Sequence, residues 1–386
     1  MSTATQALNS TTQSTFRARF STLSIGFLVL GLSALGFLVL YSIGRAHTNE
    51  TAYVIRQAQW FVLGLTAFFV GARINLHAMR KLVWVIGLAA VAALILVLIP
   101  GIGQMVNGAR RWINLGYVNL QVSEIAKVAL VFVLAHYLAA EQRRMGEFLR
   151  GFIVPVAVVA VCFGLIIFQP DYGTAALCAV VGVTMLFLAG GRMRFLIPTG
   201  LFGATLFAVA VVYDPVRFRR ITAFLDIDAN RQDGAYQLWQ ALLAFGSGGT
   251  AGRGLGQGRQ QMAFLPEAHT DFIFPIIGEE LGLIATMSIA GAFLCIFLIA
   301  VWRMRSAQSL YLFLIAVGAM LFIVLQALIN MGVATGILPT KGISLPFVSY
   351  GGSNLVTMFF FAGLLVNCFD EWDRKPGSRA RERRSH

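Results

Sequence analysis

The sequence predicts an all-α polytopic membrane protein of about ten transmembrane helices, with a large extracytoplasmic loop between helices 7 and 8. Of the 386 residues, 58% are hydrophobic and 12% are charged, and the mean hydropathy is +0.75. A soluble domain of this composition could not cover its surface with polar side chains. Apolar stretches of about 20 residues, the length that crosses a bilayer, recur along the chain. Basic residues cluster in alternate short loops, as in multi-spanning chains.

Ten apolar stretches account for the predicted helices. They occupy residues 21–41, 53–71, 82–100, 123–140, 152–169, 174–190, 194–213, 272–300, 310–332 and 351–369. The first is too long for the apolar core of a signal peptide, so we expect it to be retained. The predicted organisation is a polar tail over 1–20, a transmembrane domain over 21–370 that includes the loop 214–271, and a basic tail over 371–386.

The positions of Lys and Arg predict the orientation of the chain. Cytoplasmic loops carry an excess of basic residues. With a cytoplasmic N-terminus, the short inner segments contain Arg17, Arg19, Arg73, Arg80, Lys81, Arg143, Arg144, Arg150, Arg192, Arg194, Arg303 and Arg305. The C-terminus is then cytoplasmic as well, and the long polar loops lie outside.

The net charge of +13 is largely explained by this topology. The basic C-terminal tail is suited to anionic membrane lipids. We expect no nucleic-acid partner, because neither an aromatic-basic patch nor a folded soluble domain accompanies the charge.

The cysteine and histidine positions do not indicate a metal or disulfide site. Cys162, Cys178, Cys295 and Cys368 all lie in apolar stretches, which favours small buried residues over disulfides. No metal-ligand spacing joins the four cysteines and five histidines. No cofactor is therefore certain, and a divalent metal such as Mg²⁺ or Mn²⁺ would have to be held by carboxylates.

The segment Leu265 to Phe274, LPEAHTDFIF, is the strongest candidate for a functional site. It lies where a glycine-rich loop meets the eighth apolar stretch. An ionisable residue at a membrane boundary is costly to keep, which makes Asp271 the first candidate for catalysis. Thr270 is the expected N-cap, with Asp271 in the first helical turn. A carboxylate that merely starts the helix is the alternative.

A continuous helix from Asp271 would place small residues on the same side as its carboxylate. Gly278 and Gly282 would then leave room for a lipid chain or another helix. Glu279 and Glu280 would lie about 12–14 Å further along the helix. Carboxylates at that depth face a cavity or are paired, and both packing and catalysis stay open for them.

The outer segment 101–122 is expected to be re-entrant or interfacial, and it carries Arg110 and Arg111. Directly after it, Glu124 and Lys127 stand three residues apart and share one helix face. They form either a neutralising ion pair or, with the arginines, a site for a phosphate. The turn containing Asp171 has the Pro-Asp chemistry of a tight turn, and a structural role is favoured there.

The loop 214–271 changes character along its length. Residues 236–245 have apolar side chains at helical spacing, which predicts a short amphipathic helix in the interface. The segment 246–259 holds seven glycines together with Arg253 and Arg259. Such a segment can wrap an anion, or it can be a mobile linker or lid. No Walker-type lysine follows, so nucleotide binding is weakly supported.

The loop 336–353 contains two prolines and four glycines among apolar residues. Irregular backbone at membrane depth is tolerated only where it is buried in protein or lines a cavity. We therefore expect this loop to fold back into the protein, with Lys341 as its single charge.

Several motifs resemble the SEDS family of bacterial cell-wall polymerases over about residues 20–370. They are RRWINLG…SEIAK, ITAFLD…GAYQ…GSGG…GLG, LPEAHTDFIFPIIGEELG and GILPTKGISLPFVSYGGSN. The Thr-Lys-Gly near Lys341 and the Glu-Ala before His269 are more similar to the division members of the family than to the elongation members.

This resemblance implies a ten-helix fold and a peptidoglycan glycosyltransferase that polymerises lipid II at the outer face of the bacterial inner membrane, at the division septum. It implies an essential aspartate at Asp271 and links Glu124 and Lys127 to activity. The implied partners are a class B penicillin-binding protein transpeptidase of the FtsI type and other divisome proteins.

The reaction assigns roles to the candidate residues. Attack of a sugar hydroxyl on an anomeric carbon needs a general base, here Asp271, and positive charge for the departing pyrophosphate. The candidate substrate or pyrophosphate ligands are Arg110, Arg111, Lys127, Arg253, Arg259, His269 and Lys341. The supporting residues are Glu124, Glu267, Thr270, Glu279 and Ser349. With no obvious second outer carboxylate, a single displacement with inversion is favoured.

Two other functions remain compatible with the residues. A lipid II flippase or scramblase would use the inner carboxylates Glu279 and Glu280 and both membrane faces. A non-catalytic divisome scaffold would need no carboxylate at Asp271.

Overall fold

The computed structural model describes residues 2–46, 52–106, 108–114, 116, 119–260 and 269–373. Its helices are α1 (Ser2–Ala46), α2 (Ala52–Arg73), α3 (Leu76–Met79), α4 (Val83–Leu96), α5 (Val122–Ala140), α6 (Val154–Phe168), α7 (Tyr172–Leu188), α8 (Met193–Val212), α9 (Pro215–Leu225), α10 (Tyr236–Gly248), α11 (Ile273–Met304), α12 (Leu310–Ala334) and α13 (Gly352–Asp373). A 3₁₀ turn (Gln142–Arg144) and a π-helical turn (Leu149–Ile153) precede α6.

The polytopic all-α prediction is confirmed. In the part of the chain that is described, eight helical segments are long and apolar enough to cross a membrane. The other two predicted stretches coincide with α4 and α7, which are shorter, at 14 and 17 residues. Every predicted apolar stretch therefore falls on a helix, while the count of ten spans stays a prediction.

Three helices form the centre of the bundle, and α8 lies at its edge. About three quarters of the most apolar part of α5, α12 and α13 is buried, against 11% for α8. The three central helices contact one another, and α8 contacts mainly α7 and α9. A helix so exposed and so apolar presents most of its surface to lipid.

Helices α2 and α13 approach each other backbone to backbone. A side chain at Gly71 would come within 2.7 Å of the Phe360 carbonyl oxygen, and one at Gly363 would overlap the Phe68 carbonyl. Small residues permit such close packing between helices in a membrane.

The segment between α4 and α5 forms a small antiparallel sheet, and its re-entrant or interfacial location stays a prediction. Its strands β1 (Gly103–Val106), β2 (Ala109–Asn114) and β3 (Asn119–Gln121) pair in the order β1-β2-β3, with Trp112 opposite Gln121. The register between β1 and β2 shifts at Arg111, which is an extra residue between the pairs Gln104–Trp112 and Met105–Arg110, so a β-bulge interrupts the sheet there.

Helix α11 is broken at Gly282, where φ is +77° and ψ is −171°. The carbonyl of Glu279 accepts a hydrogen bond from the Arg253 N–H at 2.9 Å, and the Leu283 N–H donates to the Gly249 carbonyl at 3.0 Å. The glycine-rich loop thus satisfies the backbone groups that the break releases. The prediction of one continuous helix is wrong, because a short half-helix, residues 273–281, precedes the long span.

The small residues of this half-helix are covered by α10. A side chain at Gly248 would overlap the Gly278 carbonyl oxygen, so the two helices touch through their backbones. Another helix, rather than a lipid chain, occupies this side. The predicted short helix is present as α10, with Leu238, Ala241 and Ala244 buried.

The four cysteines are all free. Cys162, Cys178 and Cys368 are buried as predicted, whereas Cys295 is exposed. The prediction fails for Cys295 because the long part of α11 turns one side outward, with Leu294 and Leu298 also exposed.

Replacing Gly282 by Ala should destabilise the fold. A residue with a Cβ at this φ costs roughly 1–3 kcal/mol, and the new methyl group would also overlap the Gly252 backbone nitrogen. We expect a lower thermal unfolding midpoint for the detergent-solubilised variant than for the wild-type protein.

Gly291→Ala is the matched control, because it lies in the same helix and its added Cβ would meet nothing within 4 Å. Its midpoint should be unchanged or slightly higher, since Ala favours helix. Equal unfolding midpoints for the two variants would contradict the helix break at Gly282.

Candidate functional site

Asp271 lies in a turn before α11, which begins at Ile273, and its side chain is partly exposed. The N-cap residue of α11 is Phe272, whose side chain makes no capping hydrogen bond. The predicted N-cap role of Thr270 and first-turn position of Asp271 are therefore wrong. The chain enters the helix two residues later because the turn is held by main-chain contacts to other elements.

Two of these contacts fix the turn. The Tyr350 N–H donates to the His269 carbonyl at 2.9 Å. The Asn330 side-chain amide donates to the Asp271 carbonyl at 2.8 Å and to the Ile343 carbonyl at 2.7 Å. A single buried amide on α12 thus ties the Asp271 turn to the loop 335–351.

One turn earlier on α12, Gln326 supports the same loop. Its Nε2 donates to the Ser344 carbonyl at 2.9 Å. Gln326 and Asn330 are four residues apart and so lie on one helix face. Sequence reasoning missed both residues, although two amides at this spacing within an apolar helix are a recognisable signal of a polar contact inside the membrane.

The loop 335–351 folds back into the protein as predicted. Leu345, Phe347 and Val348 are buried, and the Ser349 hydroxyl accepts the Leu345 N–H at 2.8 Å. Val348 packs on α1 at Gly36, where an added Cβ would lie 2.5 Å from the Val348 carbonyl. Within this structure Ser349 supports the loop.

The same loop brings Lys341 to the Asp271 side of the bundle. A side chain at Gly342 would come within 2.9 Å of Asp271 Oδ2, so the carboxylate lies directly against the backbone beside Lys341. The Lys341 ammonium lies 5.2 Å from the centre of the Phe207 ring. Burial lowers the pKa of Lys341, and the negative charge of Asp171 opposes this shift.

His269 is packed among aromatic rings. Its ring centre lies 4.9 Å from that of Tyr53 and 5.5 Å from that of Tyr350. A role for His269 in binding substrate stays a prediction. Glu267 lies outside the described residues.

Glu124 and Lys127 form a buried ion pair. Lys127 Nζ lies 2.8 Å from Glu124 Oε2, and the side chains are 1% and 5% exposed. Lys127 also donates to Gln326 Oε1 at 3.1 Å, and Asn354 donates to Glu124 Oε1 at 3.2 Å. The ion-pair alternative is thus present, and a contact of Lys127 with phosphate stays a prediction.

Asp171 does more than shape a turn. It caps α7 by accepting the Thr174 N–H at 3.2 Å, and its second oxygen lies 3.9 Å from the Arg111 guanidinium. Gln121 and Ser123 donate to that oxygen at 3.2 and 3.4 Å. Sequence reasoning left Asp171 out of the site. The sequence feature that could have indicated it is a carboxylate on the predicted outer side, where a segment with two arginines also lies.

The glycine-rich loop does wrap an anion, and that anion is a side chain of the protein. Glu279, fully buried, accepts the Arg259 N–H at 2.9 Å and the Gln260 N–H at 3.1 Å. The Arg253 guanidinium lies 3.8 Å from the same carboxylate and donates to the Ser247 carbonyl at 3.0 Å.

Glu280 holds the loop to α1 as well. Its Oε1 accepts the Ser42 hydroxyl at 2.6 Å and the Gly256 N–H at 2.9 Å. The packing alternative therefore describes both glutamates in this structure. Arg253 is engaged with Glu279, whereas the Arg259 side chain is exposed. Binding of pyrophosphate by either arginine stays a prediction.

A metal cage made by protein alone is not found in the described ranges, where no three His, Cys, Asp or Glu side chains come together. Asp271 offers one carboxylate at its turn. Magnesium bound through so few protein ligands takes its other ligands from water and substrate phosphates.

The chain is similar to known proteins over most of its length. A family model described as FtsW/RodA/SpoVE cell cycle protein matches residues 22–372. A relative from Coxiella burnetii, named probable peptidoglycan glycosyltransferase FtsW, is 38% identical over 346 residues, covering 87% of this chain and 93% of the relative.

Solved structures share the fold. A chain from a structure described as a peptidoglycan synthase complex that coordinates polymerization and crosslinking superimposes with a TM-score of 0.77 at 25% identity, covering 91% of this chain and 98% of that one. The rod shape determining protein RodA of Thermus thermophilus gives a TM-score of 0.69 at 25% identity, with 91% and 97% covered.

Glu279→Gln should loosen the glycine-rich loop. The amide keeps one acceptor oxygen and loses the charge that strengthens the bonds from two backbone N–H groups. We expect faster hydrogen exchange at Arg259 and Gln260 in the native state. Glu147→Gln, at an exposed carboxylate, is the control and should leave the loop unchanged. Wild-type exchange in the Glu279 variant would show that the carboxylate does not hold the loop.

Lys127→Met should lower stability by about 3–5 kcal/mol, because it leaves the Glu124 charge buried without its partner. The double variant Lys127→Met with Glu124→Gln should recover part of the loss, since no unpaired charge remains. Thermal unfolding of both proteins measures the difference. A double variant as unstable as the sum of two independent losses would argue against coupling.

Proposed function

The chain belongs to the FtsW/RodA/SpoVE family of cell cycle proteins, and from this membership we propose that it is a peptidoglycan glycosyltransferase that polymerises lipid II into glycan strands. The relative from Coxiella burnetii carries that activity in its name. The observation that carries the proposal is Asp271, a partly exposed carboxylate that lies against Gly342, next to the cationic Lys341.

The reaction needs a base and a cation at the same place. The 4-hydroxyl of one sugar attacks the anomeric carbon of another, and the bond to a polyprenyl pyrophosphate breaks. Asp271 accepts the hydroxyl proton, and positive charge stabilises the pyrophosphate as it leaves. Lys341 is the cation next to Asp271 along the loop, and Arg111 stands beyond it at Asp171.

A buried amide helps to fix the position of Asp271 through its main chain. Its carbonyl is held by Asn330, which also holds the loop of Lys341. The Asp271 turn and the Lys341 loop are therefore both hydrogen-bonded to the Asn330 side chain, which keeps the base and the cation in one arrangement. Such preorganisation lowers the entropic cost of reaching the transition state.

The carboxylates favour a single displacement. Asp171 is the other acid near Lys341, and it is enclosed among Arg111, Gln121 and Ser123 as well as capping α7. A covalent glycosyl-enzyme would need a second carboxylate free to attack the sugar. We therefore expect inversion at the anomeric carbon.

The inner glutamates favour polymerisation over transport. A lipid II flippase would use Glu279 and Glu280 along its route. Both side chains are fully buried and accept backbone N–H groups of the glycine-rich loop. They are thus engaged as structural acceptors, whereas Asp271 is partly exposed.

We further infer the cellular setting. The synthase complex with a similar chain couples polymerization to crosslinking, which supports a class B penicillin-binding protein of the FtsI type as partner. The basic loops support an inner-membrane orientation with cytoplasmic termini. The name of the Coxiella relative supports a role at the division septum, together with other divisome proteins.

Asp271→Asn should abolish glycan synthesis. Loss of a general base lowers the rate by about 10²–10⁴, and the amide is close in size to the carboxylate. The measurement supplies lipid II to the purified chain, reconstituted with its transpeptidase partner, and resolves the glycan chains by electrophoresis. Asp228→Asn is the control, because Asp228 is an exposed outer carboxylate and should not affect the products.

Absence of glycan from the wild-type complex, or undiminished glycan from the Asp271 variant, would refute the catalytic proposal. A scaffold makes a different prediction in cells, where the Asp271 variant would still support division. Lipid II translocation that depends on Glu279 and not on Asp271 would favour a flippase.

A further inference from the structure

The mechanism above leaves one buried carboxylate beside the site unused. Asp171 is 4% exposed and lies at the start of α7. It accepts hydrogen bonds from Thr174, Gln121 and Ser123. These contacts come from α7, β3 and α5, so Asp171 joins three elements at one point.

Asp171 is also the anion on which the nearby cations converge. The Arg111 guanidinium lies 3.9 Å from Asp171 Oδ2. Lys341 is close enough for the Asp171 charge to act on it, and its loop packs on the same turn, where a Cβ at Gly173 would lie 2.9 Å from the Ile343 side chain. Asp171 thus lies between Arg111 and the Lys341 loop, and its charge acts on both cations.

Arg111 retains unused hydrogen-bonding capacity. Its Nε is buried and has no hydrogen-bond partner among the residues described. Its contact with Asp171 is longer than a hydrogen bond, and bidentate pairing is absent from that contact. A guanidinium held in this way can still donate to a phosphate.

We propose that Asp171 is a positioning residue, which holds the Arg111 guanidinium and, from the turn on which the Lys341 loop packs, faces the Lys341 side chain, so that both cations can meet the pyrophosphate of the departing lipid carrier. The inference rests on the proposed function, since it presupposes a pyrophosphate leaving group. Asp171 itself touches no reacting atom in this scheme.

The charges around Lys341 determine the pH behaviour. Asp171 faces it from α7, with Arg111 of β2 on the far side of that carboxylate, while Asp271 lies against the adjacent Gly342 and the Phe207 ring of α8 covers the ammonium. Burial lowers the pKa of Lys341, and Asp171 raises it. Without the Asp171 charge the pKa falls further, so Lys341 loses its proton at a lower pH.

Asp171→Asn removes the charge and keeps the cap, because Asn is as good an N-cap as Asp. The first experiment labels the wild-type and variant proteins with acetic anhydride over a range of pH and quantifies acetylation of Lys341 by peptide mass spectrometry. We expect the titration of Lys341 to shift to lower pH in Asp171→Asn, whereas Lys81, which is exposed, should not shift.

The second experiment measures glycan synthesis from lipid II against pH. The alkaline loss of activity should begin at a lower pH in Asp171→Asn. Asp171→Glu restores the charge and should move the alkaline loss of activity back toward the pH at which it begins in the wild-type protein. Asp228→Asn removes an exposed outer carboxylate and should not change the pH at which activity is lost.

The outcomes separate the two proposals. A Lys341 titration that does not shift, or activity lowered equally at every pH, would overturn the positioning role and leave Asp171 as a structural cap. Wild-type protein that makes no glycan would refute the proposed function, and the labelling experiment would still decide whether Asp171 sets the charge of Lys341.

Discussion

The structure depends on one constraint, that a backbone polar group at membrane depth must find a partner within the protein. Helix α11 breaks at Gly282, and the glycine-rich loop supplies the missing partners. Glu279 and Glu280 extend the arrangement by accepting further N–H groups of that loop. A polar segment that looks solvated in the sequence is therefore part of the interior, and it fixes the half-helix that follows Asp271.

The same constraint explains why the site is carried by amides rather than by charges. Asn330 and Gln326 each present donors to loop carbonyls inside an apolar helix. A neutral amide costs less to bury than a charge and satisfies irregular backbone directly. The two amides therefore hold the backbone of the Asp271 turn and of the loop that carries Lys341.

Much of the fold was predictable, because an apolar stretch of bilayer length has few alternatives to a helix. The junction at Asp271 was predictable for a related reason, since a carboxylate stands out beside such a stretch. The break at Gly282 was not, because a glycine in an apolar run is also typical of close helix packing. The role of Asp171 depends on Arg111, far away in sequence, and periodicity carries no information about that contact.

The contacts of Glu279 bear on how the chain enters the bilayer during synthesis. Its two backbone donors, Arg259 and Gln260, precede it by only 20 and 19 residues. They leave the ribosome before Glu279 does, so both donors are available as soon as the acid emerges. An unpaired charge within the bilayer costs up to about 2.5–3.5 kcal/mol to insert. The order of the chain thus allows Glu279 to enter the bilayer with its carboxylate already hydrogen-bonded.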